Sequence, residues 1–400
     1  MKKYKKVTPE DTKDVLFEEC VARRIVERRL SNLYKLRGYS RVLTPTIEFY
    51  DVFDREIAGV GDESMYKLTD NHGRLLVLRP DSTVPIARLA ATRLKGAALP
   101  LRLYYTQSVY RMNTSLSGKS NEIAQSGIEL IGANGIKSDL EVLVTAVNAL
   151  ESCKAAGFRM EIGHAGFFKG ICSAMGADAE TRDELTYLFE SKNYVAVNEL
   201  LDRIGDTPVT RLIRELPRMF GGEEIIERVS KMVDTPECTA ALNYLREIYG
   251  YVRELGIGDV ISIDLGMVHR SNYYTGIIFR GYLEGAGVTA LSGGRYDGLL
   301  SEFGENLPAI GFGVDVDAVT NMLLSSGDTF EERVPSRLVY AECEDEMQAL
   351  KYIMRMNEDG VLCENSVQSS LDGAMRYAAE KGIELVDVIS SDGSVKTLEV

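Results

Sequence analysis

LRPDSTVPIARLAATRLKGAALPLRLYYTQSVYRMNTSLSGKSNEIAQSGIELIG, residues 78–132, is the stretch on which the fold turns. It reads as a strand ending at Arg79-Pro80, a helix around TVPIARLAATRL, and two long strands, LRLYYTQSVYRM and NEIAQSGIELIG, joined by a polar loop, TSLSGKS. Upstream, MYKLTD and GRLLVLRPD continue the strand pattern. Before them, residues 14–37 carry apolar positions every three and four residues, as an amphipathic helix does, and Gly38 after a basic last turn suits its end. YSRVLTPTIEFYDVF then reads as extended chain; Pro45 within it belongs at a sheet edge or bulge.

Downstream, IKSDLEVLVTAVNALESCKAAG is a helix closed by Gly157, FRMEIGHAG a strand, and a short helix runs through Met175. Residues 178–256 change texture: nearly all helical in pattern, they read as a helical insertion. Strands resume at DVISIDLGM, YYTGIIFRGYL and VTALSGG, and a helix starts near Asp315. The spacing predicts a core over 1–325, a polar linker over 326–336, and a small α/β domain of alternating strands and helices over 337–400.

Four constellations in this frame could carry chemistry. Asp81 and Thr83, two apart where a strand gives way to a helix, could together hold an ammonium group; the same residues also suit a plain helix N-cap. The second joins Arg111, whose fork suits a carboxylate or phosphate, to Gln125 and Glu129 across the polar loop. Strand alternation places Gln125 and Glu129 on one face, with Gly127 between them leaving room for a ligand; cross-strand polar pairing is the alternative. Tyr273 and Tyr274, adjacent on a strand, should point to opposite faces, one lining a pocket and the other packing; ordinary strand aromatics are the alternative. Finally, SGGRYDG (292–298) has glycines that allow a backbone to approach a ligand, or simply a tight turn.

Bulk properties exclude several classes. No apolar run is long enough to span a bilayer, and the basic N-terminus lacks the apolar stretch of a secretory signal. With 46 Lys and Arg against 60 Asp and Glu, the net charge is -14 and no dense basic stripe exists, which argues against a nucleic-acid partner. Six scattered cysteines and three histidines fit free thiols in the cytoplasm better than disulfides or a metal centre, and no cofactor is expected.

Taken in order, LRPDST, YR with its loop and AQSGIE, NYYTG, SGGRYDGL and PAIGFGVDVD resemble the catalytic core of class II histidyl-tRNA synthetases over roughly residues 8–325, and the last domain resembles a shortened form of that family's anticodon-binding domain. The resemblance implies an α+β fold: an antiparallel sheet of six or seven strands flanked by helices, dimerising through the Pro45 region. It also implies a histidine pocket made of Asp81 (where the synthetases have Glu), Thr83, Arg111, Gln125, Glu129, Tyr273 and Tyr274.

The ATP half of the resemblance is broken. The synthetase motif-2 glutamate is Asn113 here, and the loop usually rich in arginine keeps only Lys119. The motif-3 arginine is Ala318, beside Asp315 and Asp317, and the histidyl-specific catalytic arginine aligns with His269, one residue from Arg270. Adenylation builds negative charge on the α-phosphate, and each lost donor costs about 10²–10³ in rate. The pattern looks like the regulatory subunit of short-form ATP phosphoribosyltransferases, a synthetase relative without aminoacylation. That resemblance implies a catalytic-subunit partner, histidine as the effector, and a dimer within a hetero-octamer, acting in the first step of histidine biosynthesis. The competing expectations are a divergent histidyl-tRNA synthetase and a purely structural partner that no longer binds histidine.

Overall fold

The computed structural model describes the chain except residues 1–3, 54–60, 114–119, 154–156, 269–272, 285–287, 328–329, 331–332 and 343–345. His269, Arg270, Lys119, most of the TSLSGKS loop and Cys343 therefore lie outside the described residues. The chain divides into two compact units, residues 1–330 and 331–400.

The first helix, α1 (Phe17–Leu36), buries Ala22, Val26, Leu30 and Tyr34, one residue per turn, and ends where Gly38 takes a φ of +81°. Short strands β1 (Ser40–Arg41) and β2 (Ile47–Phe49) follow, with Pro45 between them and in neither. β2 joins β3 (Lys67–Thr69) and β4 (Leu75–Leu78) in a three-stranded antiparallel sheet ordered β2-β4-β3. Helix α2 (Thr83–Thr92) leads to the two long strands β5 (Leu101–Tyr110) and β6 (Glu122–Ile131). Then come α3 (Ile136–Ser152), β7 (Phe158–His164) and α4 (Ala165–Ala174).

The next segment is helical, as its texture suggests: α5 (Ala179–Glu190), α6 (Tyr194–Ile204), α7 (Pro208–Glu215), α8 (Glu223–Val229) and α9 (Pro236–Glu254). It also contains a two-residue strand, β8 (Phe220–Gly221). The unit closes with β9 (Ile261–Asp264), β10 (Ile277–Leu283), β11 (Thr289–Arg295), β12 (Ala309–Asp315) and α10 (Val316–Ser325).

The main sheet differs from the expected six or seven antiparallel strands. It has nine, in the order β1-β5-β6-β12-β11-β10-β7-β9-β8. The six from β5 to β7 are antiparallel, but β1 pairs parallel with β5 and β9 parallel with β7. β1 and β8, two residues each, are too short to carry a readable alternation, whereas β9 lies within the strand read over DVISIDLGM and adds a parallel neighbour to β7.

Pleating gives the sheet two different faces. Tyr104, Ala124, Ile128, Phe312 and Val314 pack with Val26 and Leu30 of α1 and Val142 and Ala146 of α3 in the larger core. The opposite face offers Leu103, Tyr105, Ile131 and Ile278, which pack with Val84, Ile86 and Ala87 of α2 and with Tyr296. This second face carries the candidate site.

The C-terminal unit is α/β: β13 (Arg337–Ala341), α11 (Glu346–Glu358), β14 (Cys363–Asn365), α12 (Leu371–Lys381), β15 (Leu385–Ile389) and β16 (Val395–Glu399). Its sheet runs β14-β13-β15-β16, with only β16 antiparallel. Buried Asp387 ties it together, accepting from Arg337, Tyr352 and Thr397. The five described cysteines are free thiols. No described helix is long and apolar enough to cross a membrane.

Candidate functional site

Register builds the floor of the site. Gln125, Gly127 and Glu129 of β6 lie opposite Asp315, Gly313 and Gly311 of β12, and Gly311 and Gly313 in turn face Gly294 and Ser292 of β11. On the other side Tyr105 of β5 faces Gly127. The glycines are required by their neighbours. A Cβ on Gly311 would fall 1.8 Å from Glu129 Oε2, and one on Gly313 would fall 2.6 Å from Gln125 Nε2. Bare backbone there lets the polar side chains of β6 lie across the sheet.

Glu129 is the deep end, 1% exposed. Thr83 Oγ1 donates to its Oε1 at 2.8 Å, and the Tyr296 hydroxyl donates to Oε2. Burial pushes its carboxyl up to about 8, against the pull of those two donors. The carboxyl is therefore largely protonated at neutral pH. Tyrosines wall it in: the rings of Tyr273 and Tyr296 are 5.8 Å apart and those of Tyr273 and Tyr274 4.8 Å. Burial also raises the Tyr105 and Tyr274 hydroxyls, with Glu129 and Asp81 adding to the shift at both.

Asp81 serves as both cap and site residue. Its Oδ1 accepts from Val84 N at 3.0 Å at the start of α2, while Oδ2 lies 3.8 Å from Arg111 Nη2. Arg111 is further anchored by its Nε, which donates to Pro80 O at 2.6 Å. Tyr105 donates to Gln125 Oε1 at 3.3 Å. Arg79, grouped with Asp81 on sequence, turns away and clamps backbone through Ser108 O and Thr44 O, each at 2.7 Å.

The expectation for the tyrosine pair needs correction. Tyr273 and Tyr274 precede β10, which begins at Ile277, so strand alternation does not apply to them, and their rings contact each other. Sequence reasoning also missed Tyr105 and Tyr296. The signal existed: Tyr296 stands in SGGRYDG, and antiparallel pairing of the two long strands sets Tyr105 beside Gly127.

Beyond Gln125 the floor opens into a cavity of about 620 Å³, lined among others by Arg111, Asn113, Ser292, Asp315, Asp317 and Ala318. Asn113 is spent locally, its N donating to Asn121 Oδ1 at 2.8 Å and its Nδ2 to Ser120 O at 3.3 Å. Asp315 caps α10 through Ala318 N at 2.9 Å, and burial raises its carboxyl to about 6. Asp317 accepts from Ala124 N at 2.7 Å. Among the described residues lining this cavity, Arg111 is the one cation.

A buried ion pair fixes the far end of β11. Arg295 donates to Asp139, to Ser138 Oγ at 2.7 Å and to Asp297 Oδ1 at 2.8 Å, and the Tyr244 hydroxyl donates to Asp139. This network holds Tyr296, the next residue, against Glu129.

Similarity to known proteins agrees with this architecture. A family model described as histidyl-tRNA synthetase matches residues 11–319. An ATP phosphoribosyltransferase regulatory subunit from Clostridium kluyveri is 41% identical over 97% of this chain and 100% of its own length. One from Bacillus cereus is 38% identical over 96% of this chain and 92% of its own. Among solved structures, an ATP phosphoribosyltransferase regulatory subunit/histidyl-tRNA synthetase from Bacillus halodurans superposes with a TM-score of 0.82 at 29% identity, covering 97% of this chain and 98% of that one. A Nostoc histidyl-tRNA synthetase shares the fold, with a TM-score of 0.75 at 20% identity over 98% of this chain and 96% of that one. By these matches the chain belongs to the family of ATP phosphoribosyltransferase regulatory subunits, built on the histidyl-tRNA synthetase fold.

Proposed function

We propose that this chain activates a separate, short-form ATP phosphoribosyltransferase catalytic subunit and carries the histidine site through which that subunit is inhibited, without itself adenylating histidine. One observation carries the reading: the two halves of the site differ in chemistry. The half around Glu129 sets buried polar groups among tyrosines, while the 620 Å³ cavity beyond Gln125 is lined by Asp315, Asp317 and Ala318, with Arg111 as its one cation among described residues.

Each half suits one task. A neutral or ionised Glu129 can pair with an imidazole, which both donates and accepts. Asp81 suits the α-ammonium and Arg111 the carboxylate. In the open half, a triphosphate would face Asp315 and Asp317, and charge developing on its α-phosphate would lack the arginines that lower such a barrier. On this reading the pocket residues are Asp81, Thr83, Arg111, Gln125, Glu129, Tyr273 and Tyr274, and the working form is a dimer within a cytoplasmic hetero-octamer.

Regulation requires that histidine bind two states of the assembly unequally. Calorimetry with histidine on the purified chain tests the pocket. Saturable heat, weakened at least tenfold by Glu129→Gln or Gln125→Ala, is expected; heat unaffected by both substitutions refutes it. Histidine-dependent exchange of pyrophosphate into ATP would show a working synthetase and overturn the reading.

A further inference from the structure

Tyr274 also lines a second, small cavity of about 50 Å³ between the sheet and the helices that follow β7. Ala165 and Phe168 of α4, with Met267 and Ile278, give it an apolar floor; Lys169 of α4 and Arg182 of α5 stand at its rim. Lys169 Nζ donates to the Tyr274 carbonyl at 3.3 Å. Among the described residues that carbonyl is the one acceptor of Lys169, and an ammonium has three donors. Arg182 has Asp183 at 3.8 Å as its ion-pair partner, a contact too long for a hydrogen bond. Asp183 is the one carboxylate among the described lining residues, and its side chain is 66% exposed. Among the described residues the lining thus sets two cations against one carboxylate.

We propose that Lys169 and Arg182 form a binding site for a small oxyanion of the phosphate class, seated against Tyr274. The assignment follows from charge, donor count and size. Two cations held around one cavity repel each other until an anion lies between them; burial chiefly, and Arg182 in addition, lower the Lys169 ammonium below its usual range. A tetrahedral oxyanion presents oxygens to an ammonium and a guanidinium at once. Because Lys169 also holds the backbone of Tyr274, an ion here stiffens one wall of the amino-acid pocket. Anion and amino acid then bind with reciprocal coupling.

The site stands or falls without reference to histidine. Inorganic phosphate is titrated into the full-length chain at constant ionic strength, with chloride as the compensating ion, following heat and the thermal midpoint. Saturable binding is expected, retained by Lys169→Arg and weakened about tenfold or more by Lys169→Met and by Arg182→Gln, since each removes a charge-assisted bond. Arg203→Gln, at an exposed position of α6, should leave it unchanged. Arg182 is solvent-facing, so Arg182→Gln carries the test even if Lys169→Met fails to fold. A response that never saturates is a general salt effect and overturns the proposal, as does saturable binding that survives both substitutions. Repeating the phosphate titration with histidine present then reads the coupling separately.

Discussion

Replacing Glu129 with Gln should make the protein progressively more stable than the parent as the pH rises, although it removes a residue of the candidate pocket. Glu129 is 1% exposed, and burial lifts its carboxyl from 4.5 to about 8. The folded state therefore holds this proton more tightly than the unfolded chain does. Stability associated with the protonated group is fully present below about pH 4.5, erodes as pH rises from there, and is all lost once pH passes about 8. The gap of about 3.5 units corresponds to roughly 5 kcal/mol across the window, with a slope of about 1.4 kcal/mol per pH unit. Gln keeps the shape and an acceptor for Thr83 Oγ1 but does not titrate. Urea unfolding of both proteins, followed by tyrosine emission since the chain has no Trp and 20 Tyr, measures the difference at pH 5, 6, 7 and 8. The variant should gain on the parent by several kcal/mol between the ends of this range. A difference that stays constant with pH would show that Glu129 is ionised throughout, and the account of the deep pocket would be wrong.

Three further outcomes follow from the geometry. Gly311→Ala places a Cβ 1.8 Å from Glu129 Oε2 and 2.4 Å from Ile128 O, so unfolding measurements should show a loss of about 1–3 kcal/mol, and histidine affinity should fall with it. Arg295→Met strands Asp139, which is 1% exposed, and should cost about 3–5 kcal/mol in urea unfolding; Asn at position 139 in the same background should recover part of that loss. If Glu129 and the histidine imidazole share one proton when paired, binding releases a proton below about pH 7, midway between about 8 and 6.5, and takes one up above it. Calorimetry in buffers of different ionisation enthalpy reads that change of sign.

Much of the fold was legible because its elements are long and periodic. The one-per-turn burial of Ala22, Val26, Leu30 and Tyr34 is visible in the sequence, and so is the alternation that puts Gln125, Gly127 and Glu129 on one face. What escaped depends on partners distant in sequence. β1 and β8 are two residues each and exist only because β5 and β9 offer them an edge. Tyr273 and Tyr274 looked like strand residues from their type, yet β10 starts three residues later. The role of Gly311 could not be read locally, since it follows from the side chain of Glu129 on the neighbouring strand. Asp81 shows that two readings can both hold: it caps α2 with one oxygen and turns the other toward Arg111.

The central claim is that the Glu129 pocket senses histidine on behalf of another subunit. The direct measurement is the phosphoribosyl-transfer rate of a short-form catalytic subunit, with and without this chain, as histidine is titrated. The account predicts that the parent chain activates transfer and confers inhibition by histidine, while the Glu129→Gln chain activates equally but shifts the inhibition midpoint upward by at least tenfold. Inhibition by histidine at the same concentration with both chains would contradict it.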